Sequence, residues 1–100
     1  MAAVMTPLPL TPDLERVARN TVWFKEPADA LADPIHFIAH VLTWGTHEDV
    51  SVMRRYVSDD ELRHAIEHAP PGIFDPRSWA YWNLKIGRWP APPMPVRVIP

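Results

Sequence analysis

Asp33-Pro34-Ile35-His36-Phe37-Ile38-Ala39-His40-Val41-Leu42-Thr43-Trp44-Gly45, "DPIHFIAHVLTWG", holds a helix start, a helix pattern and a helix stop in one run. An Asp side chain can accept from the orphan amides that open a helix, and Pro in the first position forfeits no hydrogen bond there. Ile35, Ile38, Val41 and Leu42 recur at intervals of three and four, with Phe37 and Trp44 widening the stripe. That is helical periodicity, and no strand alternation competes with it. Gly45 stands where a helix C-terminus favours a left-handed residue. The run predicts a helix over 34–44.

The same punctuation extends in both directions. Thr11-Pro12 and Asp75-Pro76 repeat the cap-then-Pro start, Ser58-Asp59-Asp60-Glu61 is a capping box, and Thr46-His47-Glu48-Asp49 is a weaker version of one. Between these signals lie further helical stripes: Leu14, Val17 and Ala18 in 12–20; Val50, Met53 and Val57 in 47–57; Leu62, Ala65, Ile66 and Ala69 in 59–69; Trp79, Trp82 and Ile86 in 76–86. Residues 26–32 add one more turn, Pro70-Pro71-Gly72 is a hard stop, and Gly87 ends the last helix. The expected fold is all-α, a compact bundle of four or five short helices with Pro-rich extended arms. Residues 1–10 form the N-terminal arm, 11–87 the helical domain and 88–100 the C-terminal tail, whose sequence "RWPAPPMPVRVIP" reads as polyproline-like. No internal repeat is present.

Composition narrows the class. A chain of 100 residues with 47% hydrophobic residues is one small globular domain. With no Cys there is neither a disulfide framework nor a thiolate chemistry, which suits a reducing cytoplasm. A net charge of -2 offers no bulk attraction to nucleic acid. No apolar run approaches the roughly 20 residues needed to span a bilayer, and "MAAVMTPLPL" lacks the basic start of a secretory signal. A cytoplasmic protein is expected.

Motifs for chemistry are weak. His64-Ala65-Ile66-Glu67-His68 spells H-x-x-E-H, an inverzincin pattern, but both His fall opposite the apolar stripe. After His68 only Asp75 remains as a carboxylate side chain, just past the Pro-Pro-Gly break. His36 and His40 form a second i, i+4 pair, read as an exposed polar face, with His47 nearby. Ser51, Ser58 and Ser78 have no nucleophile elbow or adjacent base, and the isolated glycines form no phosphate loop. A non-enzymatic chain without metal or cofactor is expected.

Binding fits better. Segments 47–57 and 59–68 could form a helix-turn-helix, making a small DNA-binding regulator the alternative reading, yet the second helix holds Asp59, Asp60, Glu61 and Glu67 against one Arg63. A domain this small cannot bury all its aromatics. Trp79 and Trp82 are assigned to the core, while Trp23, Phe24, Trp44 and Tyr81 are candidates for partner binding, with Arg54 and Arg55 as a short basic spot. Trp89, Met94, Val96 and Ile99 in the tail join them, as apolar groups with no evident place in the helical core.

The order of these pieces resembles a family of small proteins encoded beside AbiEii-type nucleotidyltransferase toxins and presumed to be their antitoxins. The likeness rests on Trp23-Phe24, on Phe37-Ile38-x-x-Val41-Leu42-x-x-Gly45, and on Glu48-Asp49 followed by Tyr56. It continues through Leu62-Arg63 and closes with Ser78-Trp79-x-x-Trp82-x-Leu84 and Gly87, covering roughly residues 22–88. One departure stands out: the aromatic pair is usually followed by Asp, where this chain has Lys25-Glu26. The resemblance implies a cytoplasmic antitoxin that binds and neutralises a cognate nucleotidyltransferase toxin. A non-catalytic scaffold or interaction subunit would carry the same features.

Overall fold

A computed structural model describes residues 5–96, and among them are six helices and no strand. These are α1 (Pro12–Thr21), α2 (Pro27–Ala32), α3 (Pro34–Trp44), α4 (His47–Arg54), α5 (Asp59–Glu67) and α6 (Pro76–Lys85). The all-α expectation holds, with one helix more than its upper count. Residues 27–32 make a helix of their own because Pro27 starts it and Asp33 ends it while also capping α3.

The start signals act as their chemistry dictates. Thr11, Asp33, Thr46, Ser58 and Asp75 each accept from the backbone N–H three residues on. Ser58 and Glu61 form a complete capping box, and so do Thr46 and Asp49, the pair expected to be weaker. Asp49 gains from burial: its Oδ2 accepts from the Thr46 N–H at 3.0 Å and its Oδ1 from Asn20 at 3.4 Å. A buried carboxylate with both oxygens engaged ties α4 to α1.

The helix over 34–44 is the centre of the molecule. It buries Pro34 and every residue from Phe37 through Leu42, and it packs against all five other helices. A helix that is apolar around most of its circumference belongs inside such a bundle. The Cα radius of gyration of 13.0 Å matches a compact chain of this length.

Several expectations need correction. Gly45 is not left-handed; its φ is -74° and ψ 155°, an extended conformation open to any residue. Glycine is required there by crowding, since a Cβ would lie 2.6 Å from the Val41 carbonyl oxygen. Gly87, by contrast, does adopt φ +82°. Helix α4 stops at Arg54 rather than 57, and buries Asp49, Val52 and Met53, with Val50 only partly covered. In α6 Trp79 is buried and Trp82 half-buried, while the side chain of Asn83 is fully enclosed. The His36–His40 face is only partly solvated, because Phe24 packs on it and His40 is buried.

Both arms are fastened to the bundle. Leu8 is buried and its N–H donates to the Leu31 carbonyl at 3.0 Å. After Gly87, Arg88 N–H donates to the Asn83 carbonyl, and the Trp79 indole N–H donates to the Pro92 carbonyl at 2.7 Å. Ala91 and Met94 then pack against the core. Met94 therefore has a place in the fold, contrary to expectation, because the indole of Trp79 offers the tail a buried donor to settle on.

Candidate functional site

The turn between α1 and α2 creates the most exposed aromatic surface. Val22 is fully buried and its N–H closes α1 on the Ala18 carbonyl, while Lys25 N–H returns to the Val22 carbonyl at 3.1 Å. This tight turn leaves Trp23 and Phe24 at its tip, with no room inward. Trp23 is 79% exposed and Phe24 51%. Their rings meet edge to face at 5.6 Å, and Phe24 in turn lies 5.4 Å from the His40 ring. Trp44, 64% exposed at the end of α3, completes a groove of about 470 Å³ with Asn20, Thr21 and His40.

Little in this groove is free to react. Thr21 Oγ1 donates to the Val17 carbonyl at 2.8 Å. His40 Nδ1 lies 2.9 Å from the His36 carbonyl oxygen, and since a carbonyl only accepts, that nitrogen carries the hydrogen. What remains is a wide apolar surface with a polar edge, the composition of an interface core.

His36 contributes a pH dependence. Burial, then the nearby His40, then Lys25 hold its imidazole below the usual pKa of 6.5, and Asp33 opposes them only in part. Between the depressed folded value and 6.5 the unfolded chain binds more protons than the folded one. The contribution of His36 is thus complete above 6.5 and is lost as pH falls through that window. The melting temperature should drop on acidification from about pH 8 to about pH 5, and His36→Asn should flatten that slope. Asp13 does not interfere: Thr11 and Tyr56 donate to its carboxylate and lower its pKa below 3.8, so its loss belongs to more acid conditions. An equal slope in His36→Asn would place the acid sensitivity elsewhere.

The other candidate residues separate. Arg54 and Arg55 point apart: Arg54 pairs with Asp59, whereas Arg55 lies 3.8 Å from Asp13 on α1. Arg54 instead joins Tyr81 in a second groove of about 440 Å³ between α4 and α6. Arg77 and Lys85 flank the same groove and were overlooked in the sequence, although their four-residue spacing about Tyr81 was there to read. Trp89 and Val96 are exposed on the tail at 66% and 62%, and Ile99 lies outside the described residues.

His64 and His68 stack at 4.1 Å, with His68 Nδ1 bonded to the His64 carbonyl. Among the described residues no group of three or more His, Asp or Glu side chains is placed to hold a metal ion. For the helix-turn-helix reading, α5 docks on α3 and opens with Asp59, Asp60 and Glu61, where a recognition helix would meet base edges. No helix among the described residues is long and apolar enough to cross a membrane. Comparison with protein-family models, with curated proteins and with solved structures finds no match to this chain.

Proposed function

We propose that this chain is a non-catalytic, cytoplasmic protein-binding module that acts as an antitoxin, docking on a nucleotidyltransferase toxin through the Trp23–Phe24–Trp44 surface. The observation that carries the reading is the gathering of three large exposed aromatics around one groove, where the other exposed apolar residues, Leu10, Tyr81, Leu84, Trp89 and Val96, do not line it. The sequence resemblance supplies the partner. Among the residues behind that resemblance, Phe37, Ile38, Val41, Leu42, Leu62 and Trp79 are buried and explained by the fold. Trp23 and Phe24 are not, and their exposure supports a role outside the core.

Co-expression with its cognate nucleotidyltransferase toxin should yield a soluble complex and restore growth. Exposed aromatics at an interface centre are typical hot spots, so Trp23→Ala and Trp44→Ala should each weaken binding by about 2 kcal/mol, roughly 30-fold. Both variants should keep the parental thermal melt, because neither indole is part of the core. A full-length chain that neither co-purifies with the toxin nor relieves its toxicity removes the assignment. A nanomolar operator site upstream of its own gene would favour the regulator reading instead.

A further inference from the structure

The groove between α4 and α6 has a charge character opposite to that of the whole protein. Arg77, Tyr81 and Lys85 stand four residues apart on α6 and so form one row along its face. Lys85 Nζ lies 5.8 Å from the Tyr81 ring centroid, and the Tyr81 and Trp82 rings meet edge to face at 5.1 Å. Arg54 faces them from α4, and Leu42 and Val50 contribute an apolar floor. The lining holds three cationic side chains, of which Arg54 is paired with Asp59, and no carboxylate, in a chain whose net charge is -2. Among the described residues neither Arg77 nor Lys85 has an ion-pair partner. The indole N–H of Trp82 donates to the Leu42 carbonyl at 2.9 Å, which fixes the aromatic floor against the end of α3.

We infer that this groove binds an acidic peptide segment of another protein, with carboxylates reaching Arg77 and Lys85 and an apolar side chain lying on Tyr81 and Trp82. The eight-residue separation between Arg77 and Lys85 corresponds to a rise of about 12 Å along the helix. An extended peptide covers that distance in about four residues, so carboxylates at that spacing meet both cations. A nucleic-acid backbone fits less well. The adjoining groove, which shares Arg54, Trp82 and Lys85, is lined by Asp59 and Asp60. A continuous run of phosphates would meet those carboxylates, whereas a short acidic segment ends before them.

This site lies apart from the Trp23 surface and stands whether or not the toxin assignment does. The probe is a fluorescein-labelled peptide Glu-Ser-Leu-Ser-Glu, which when extended sets both carboxylates and the leucine between them on one face, titrated against the full-length protein at low salt. Binding should saturate, weaken with added salt, and fall at least about tenfold for the double variant Arg77→Glu, Lys85→Glu. In proton–nitrogen correlation spectra the Trp82 indole resonance should move while those of Trp23 and Trp89 stay in place. Arg19→Glu, on α1, should bind the peptide as the parent does, and so should Trp23→Ala even where toxin binding is lost. The inference is overturned if the same peptide with glutamine in place of both glutamates binds equally, or if the double variant, with an unchanged melt, retains the affinity. It is also overturned if oligothymidylate displaces the peptide at lower concentration than the peptide binds, which would make the groove a nucleic-acid platform.

Discussion

Replacing Trp79 by Ala is expected to remove about 3–5 kcal/mol of folding stability. The indole is only 6% exposed and packs edge to face on Phe74 at 5.4 Å. Its N–H also holds the Pro92 carbonyl, so the substitution opens a cavity and strands a tail acceptor at the same stroke. A domain of this size has about 5–15 kcal/mol in total, and each kcal/mol moves its melting temperature by about 4–8 °C. The variant should therefore melt more than about 10 °C early and lose protease resistance between residues 88 and 96. Trp82→Ala should cost less, because Trp82 is only half-buried and packs at the edge of the core, where it also lines the groove. Urea denaturation of both variants checks the order. An unchanged midpoint for Trp79→Ala would mean that α6 and the tail do not stabilise the bundle.

Gly45→Ala is expected to cost about 1–3 kcal/mol. The added Cβ would sit 2.6 Å from the Val41 carbonyl oxygen and 3.2 Å from both Asp49 Cβ and Val41 Cγ1. The nearest atom is backbone, which cannot swing aside as a side-chain tip can. To admit the methyl, α3 and α4 must separate at the point where the Thr46–Asp49 capping box joins them. Gly87→Ala provides the comparison: its Cβ meets nothing within 4 Å, and only the φ of +82° opposes it. Parallel thermal melts distinguish the two, and a Gly45→Ala melt above that of Gly87→Ala would refute the crowding argument.

Much of the fold was legible because helix starts are local chemistry. A cap reaches three residues forward and needs no tertiary partner, so Thr11, Asp33, Thr46, Ser58 and Asp75 could all be read from neighbours in the chain. Burial was legible where one face of a helix meets one surface, as with Leu62, Ala65 and Ile66 of α5. It was not legible where the covering group comes from elsewhere. His40 looked solvated because Phe24, which covers it, lies sixteen residues earlier, and Asn83 gave no sign that Trp79 and its neighbours would enclose it. The candidate site shows the same division. Surplus aromatics could be counted, but the grouping of Trp44 with Trp23, and the parting of Arg54 from Arg55, depend on how the helices cross.

The central position of α3 also bears on how the protein is made. Helices α1, α2, α3 and α4 pack on one another, whereas α5 and α6 attach chiefly to α3. As the ribosome releases the chain from its N-terminus, the first four helices can condense before the last two exist. Helices α5 and α6 then arrive to find their docking surface already assembled, and the tail settles last, once the indole of Trp79 is in place to receive it. In this arrangement synthesis and assembly can run in the same direction along the chain, and the apolar surface of α3 stays exposed only until the following residues cover it.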